Sequence, residues 1–117
     1  MKKVFIVFLT MITFAVSAEA QEKSKNAKAK FVVKGNCEMC KERIEKAALL
    51  TKGVKYANWN IDSKEFNCIY NENKVTVTDI KKAIAKVGHD TEETKATDEA
   101  YKALHECCQY DRENNNQ

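Results

Sequence analysis

The stretch FVVKGNCEMCKERIEKA, residues 31–47, changes character in its middle. Phe31-Val32-Val33 is β-rich and reads as a strand. From Cys40 onward Ile44, Ala47, Ala48 and Thr51 recur on one face of a helix, and Gly53 suits its stop. Between the two lie Gly35 and a CxxC pair, Cys37 and Cys40. A chain built this way carries two thiols on the turn between a strand and a helix. That placement constrains both its fold and its chemistry.

The rest of the pattern alternates in the same way. In VKYANWNID, Tyr56, Asn58 and Asn60 alternate with Ala57, Trp59 and Ile61, the period of a half-buried strand. In FNCIY, Phe66, Cys68 and Tyr70 share one face, and the turn DSKE makes the two runs a hairpin. Thr76 can cap the next helix, with Asp79 three residues on. Ile80, Ala83, Ile84 and Val87 lie at amphipathic spacing, and Gly88 fits the C-terminal stop. HDTEET would hold a short last strand. The order is the split βαβ arrangement, an α+β, ferredoxin-like βαββαβ sandwich. Two helices would cover one face of a small antiparallel sheet.

The domain predicted on this basis spans residues 30–93. Residues 1–20 read as a cleavable signal peptide, with Lys2 and Lys3 before the apolar run Val4 to Val16 and Ala18-Glu19-Ala20 at the cut. That run is shorter than the ~20 residues a membrane span needs. Of 117 residues, removing 20 leaves 97, which suits one domain. The expected location is periplasmic or secreted. Residues 21–29 read as a flexible lead-in and residues 94–117 as a cysteine-containing tail outside the core. With 20 basic and 17 acidic residues there is no basic excess that would favour nucleic acid. No catalytic Ser/His/Asp set is present, so an enzyme is not expected.

Five cysteines in an exported chain raise three readings: metal site, redox dithiol or plain disulfide. Positive potential at a helix N-terminus favours thiolates, and paired thiolates select soft ions such as Cu(I). Thioredoxin-like proteins also place CxxC at a helix start, but they set a cis-proline beside it, and this chain has no proline. Metal binding is the favoured reading, through Cys37 and Cys40.

Strand, CxxC, helix, KGV, hairpin, helix and VGHD together resemble the heavy-metal-associated domain family, which includes copper chaperones and the periplasmic mercuric-ion-binding protein. The resemblance covers roughly residues 30–93. It implies that Cys37 and Cys40 hold Cu(I), with Hg(II), Ag(I) or Zn(II) as alternatives. It implies transfer by thiolate exchange to a metal-transporting membrane protein or periplasmic acceptor. The working state would be a monomer or a metal-bridged dimer.

The chain departs from the family at two places. Gly35 stands where the family has a buried methionine, which suggests a looser loop. His89 stands where the family often has tyrosine, so it could serve as a third ligand.

Several residues fall outside that pattern. His105, Cys107 and Cys108 in the tail have the chemistry of a second soft site. If the tail folds back, Cys37, Cys40, Cys107 and Cys108 could make a four-thiolate site for zinc or a small copper cluster. Cys68 and Trp59 read as core. Met39 reads as solvent-facing.

Overall fold

The computed structural model describes residues 23–112. The segment read as a signal peptide lies outside the described residues. Three strands form one antiparallel sheet: β1 (Ala27–Val32), β2 (Val54–Trp59) and β3 (Glu65–Tyr70). Their spatial order is β1-β3-β2, with β3 central. The principal helices are α1 (Glu38–Leu49), between β1 and β2, and α2 (Val77–Lys86), after β3. A short helix, α3 (Asp98–Lys102), and one 3₁₀ turn, Glu106–Cys108, complete the described chain. No helix among the described residues is long and apolar enough to cross a membrane.

Each element follows from its side chains. In β3, Phe66, Cys68 and Tyr70 are buried in strict alternation. Cys40, Ile44 and Ala48 of α1 and Ile80 and Ile84 of α2 close over that face of the sheet. The N-terminus of α2 is a complete capping box. The Asp79 N–H donates to Thr76 Oγ1, and the Thr76 N–H donates to the Asp79 carboxylate, both at 3.1 Å. The hairpin register slips at Lys55, where a bulge separates the Val54–Tyr70 and Tyr56–Ile69 pairs.

Three expectations need correction. β1 begins at Ala27, inside the segment read as a flexible lead-in, and pairs with β3 from Ala27–Tyr70 to Val32–Glu65. Ala27, Ala29 and Phe31 turn inward while Lys28 and Lys30 turn out. The expected last strand is reduced to one bridge, Thr91 with Val33. It ends there because the chain turns at once: the Thr91 N–H donates to the Thr94 carbonyl at 2.8 Å. The bridge still sits where a fourth strand would lie, at the outer edge of β1.

The third correction concerns the tail. It is not outside the core. Leu104, Cys108 and Tyr110 are all buried within it. The tail's helix, α3, lasts five residues and is followed by the 3₁₀ turn. Tyr110 strings the tail to the loop after α2. Its hydroxyl donates to the Gly88 carbonyl at 2.7 Å and accepts the Asp90 N–H at 2.9 Å. Arg112 clamps the same loop through two contacts to the Asp90 carboxylate, at 2.9 and 3.0 Å. It also reaches Asp98 at 2.9 Å and stacks over the Tyr101 ring.

Candidate metal centre

Cys37 is the N-cap of α1 and Cys40 lies in its first turn. No side chain caps this helix, so its first N–H groups are left without a side-chain partner. The Lys41 N–H donates to the Cys37 carbonyl at 3.1 Å, and the Asn36 N–H approaches Cys40 Sγ at 3.4 Å. The loop before the helix is fixed from below by Trp59. Its indole N–H sits 3.0 Å from the Val33 carbonyl and 3.1 Å from that of Lys64. Lys41 ties α1 to the end of β2, donating to the Trp59 carbonyl at 2.8 Å.

A looser loop was expected at Gly35, but the glycine is tightly packed. A Cβ placed there would lie 3.0 Å from the Trp59 ring and 3.1 Å from Cys40 Cβ. The indole occupies the room a larger residue would need. The tryptophan thus supports the backbone that carries both thiols.

The tail completes the cluster. Cys37 Sγ lies 3.4 Å from Cys40 Sγ and 3.3 Å from Cys108 Sγ. These three sulfurs all fall within 4.8 Å of one another. Cys107 Sγ is 3.8 Å from Cys37 and 3.8 Å from Cys108, but it stands outside that mutually close group. All five cysteines carry free thiols. Cys68 is buried under the sheet, away from the cluster, and burial pushes its thiol up to about 11.

The thiols are unequal. Burial works against ionisation at Cys37. The Cys40 N–H and the thiols of Cys108, Cys40 and Cys107 outweigh it and bring Cys37 down to about 7. Cys40, wholly enclosed, is pushed by burial up to about 12. Cys37 is therefore the first sulfur to become a thiolate, and the one that touches all three others.

The two histidines are placed otherwise. His89 is fully buried, but it is not in the thiol group. Its Nδ1 lies 2.8 Å from the Lys34 carbonyl, which can only accept, so Nδ1 carries the proton. Its ring stacks on Tyr110 at 5.8 Å. Burial lowers its pKa, and Arg43 adds to that effect, against the Lys34 bond and Asp90, which raise it. The Nε2 atom is buried without a partner among the described residues. His105 is exposed, and its carbonyl accepts the Cys108 N–H at 2.8 Å. Met39, 42% exposed, is not wholly given to solvent, since its Sδ lies 3.8 Å from Cys107 Sγ.

No protein-family model matches the chain. A copper chaperone CopZ of Staphylococcus epidermidis is 36% identical over 55 residues, which are 47% of this chain and 81% of that protein. The heavy-metal-associated domain family is thereby shown. The chain belongs to it. A CopZ of Staphylococcus haemolyticus is 33% identical over the same length. Among solved structures, the N-terminal domain of a potential copper-translocating P-type ATPase from Bacillus subtilis, in its Cu(I)-loaded state, superposes with a TM-score of 0.54. It shares 33% identity, and the match covers 56% of this chain and 84% of that one. Oxidised MerP from Ralstonia metallidurans, at 19% identity and a TM-score of 0.50, shares the fold. Members of this family are non-enzymatic metal carriers, and the CxxC-type cysteine group makes this chain a metal-binding member.

Proposed function

We propose that the protein is an exported carrier or sequestering chaperone for Cu(I). It would hold the ion on Cys37, Cys40 and Cys108. The observation that carries this reading is the close group of three sulfurs, two from the α1 loop and one from the tail. With metal–sulfur bonds of about 2.3 Å, two sulfurs on opposite sides of an ion stand about 4.6 Å apart, and three in a plane about 4.0 Å. The spacings of 3.3 and 3.4 Å at Cys37 fit the three-sulfur arrangement better. Structural zinc asks for four sulfurs about 3.8 Å apart; Cys107 stands at that distance from Cys37 and Cys108 but does not join the mutually close set with Cys40. Three soft thiolates suit Cu(I).

Delivery would proceed by ligand exchange, one thiolate of an acceptor replacing one of this protein's at a time. Cys37 is the natural first contact, because it is the more exposed of the CxxC pair. The acceptor class supported by the relatives' names is a copper-transporting P-type ATPase or another metal acceptor. The basic, apolar N-terminus ending in Ala18-Glu19-Ala20 supports export to the periplasm or beyond.

Anaerobic titration of the reduced protein with Cu(I), against a chelator of known affinity, tests the reading. Stoichiometric uptake that is lost in the Cys37→Ser/Cys40→Ser variant is the expected result. Uptake unchanged in that variant would overturn it.

A further inference from the structure

Cys107 is unexplained by a three-sulfur site, yet three other sulfurs lie close to it. Its Sγ sits 3.8 Å from Cys37 Sγ, 3.8 Å from Cys108 Sγ and 3.8 Å from Met39 Sδ. Met39, on α1, and Cys107, on the tail, are both exposed. They bring five sulfurs into one continuous patch: a buried inner face of Cys40 and Cys108, an open outer face of Cys107 and Met39, and Cys37 between them.

We propose that this outer face is a second Cu(I) position, built from Cys107 and the Met39 thioether, with Cys37 bridging it to the inner ion. The inference rests on the Cu(I) reading of the inner site. Cys37 lies within 3.8 Å of both Cys107 and Cys40, as a bridge requires. A thiolate has lone pairs enough to serve two soft ions. A thioether selects Cu(I) over zinc, because a neutral soft donor does little for a harder divalent ion. The charges also favour two ions. Four thiolates around one monovalent ion leave a surplus of three negative charges, and a second monovalent ion removes one of them. The outer ion would be the exchangeable one, since Cys107 and Met39 stand open to solvent and to an approaching acceptor. The inner ion is closed in by Cys40 and Cys108, both fully buried.

Native mass spectrometry of the reduced protein, titrated anaerobically with Cu(I) beyond two equivalents, reads the stoichiometry directly. The wild type should reach two ions. Cys107→Ser, an exposed change that leaves the fold alone, should stop at one. Met39→Leu should still reach two but release the second to a chelator at least tenfold more readily. A wild type that stops at one ion, or a Cys107→Ser variant that still takes two, would overturn the second position. The inner ion would remain bound in either case. A wild type that takes up no copper at all would overturn the Cu(I) reading beneath it as well.

Discussion

Cys108 Sγ lies 3.3 Å from Cys37 Sγ, across 71 positions of sequence. The contact depends on the tail crossing the loop after α2 and being held there. Tyr110 and Arg112 do the holding, through Gly88 and Asp90. The third sulfur of the cluster is thus delivered by a strap of hydrogen bonds and one part-buried ion pair rather than by the sheet.

Gly88 is the point at which the strap can be loosened most specifically. Its φ is +106°, and a Cβ there would meet the Ala100 carbonyl at 2.8 Å and Leu104 at 2.9 Å. Gly88→Ala should cost about 1–2 kcal/mol for the left-handed backbone alone. The clash should also lift α3. Alkylation of Cys108, buried in the wild type, should then accelerate in the metal-free protein. Equal protection of Cys108 in both proteins would count against the strap.

Asp90 should make stability depend on acidity. Burial raises its pKa, but the Arg112 hydrogen bonds and the Ala96 N–H outweigh it, and the folded value lies below the ordinary one. A depressed folded pKa stabilises the protein above the unfolded value of about 3.9. That stability is lost as pH falls through the folded value. Asp90→Asn should destabilise the protein by roughly 1–3 kcal/mol at neutral pH, because it leaves Arg112 underpaired. It should also flatten the acid limb of the unfolding profile below about pH 4. An unchanged acid limb in chemical denaturation would contradict this role.

Cys37 should be the most reactive thiol of the metal-free protein. With its pKa near 7 against about 12 for Cys40 and about 11 for Cys68, it is the sulfur ionised around neutrality. Iodoacetamide at limiting dose, followed by peptide mapping, should find modification first at Cys37. Its rate should rise through about pH 7. Equal labelling of Cys40 or Cys68 at that pH would be incompatible with the arrangement described.

Trp59 and Gly35 should be energetically coupled. Trp59→Ala should cost roughly 3–5 kcal/mol, as expected for a fully buried aromatic. Gly35→Met should destabilise the wild type, since even its Cβ would press on the indole. The same change should be better tolerated once Trp59 is Ala, giving a favourable coupling of about 0.5–3 kcal/mol in a double-mutant cycle. Strict additivity in urea unfolding would mean that the indole does not fill the space at Gly35.

Much of the fold was legible because its signals are local. Thr76 and Asp79 announce α2, and Phe66, Cys68 and Tyr70 announce the buried face of β3. β1 was harder to bound, because Ala27 and Ala29 give little apolar contrast between their lysines. The family resemblance pointed to Cys37 and Cys40. It did not cover the tail, whose spacing of Tyr101, Leu104 and Cys108 hinted at a shared side but named no partner. Tyr110 and Arg112 were missed altogether. Their role lies in contacts with Gly88 and Asp90, some 20 residues away, and nothing local encodes such a pairing. Trp59 was read correctly as core, but its fit to Gly35 is a matter of shape that no spacing reveals.

The central claim is that the tail supplies a ligand. X-ray absorption at the copper edge, on protein loaded with one equivalent of Cu(I), counts the sulfurs around the ion. Three sulfurs in the wild type, falling to two in Cys108→Ser, are what this account predicts. Two sulfurs in both proteins would contradict it and leave the ion on the CxxC pair alone.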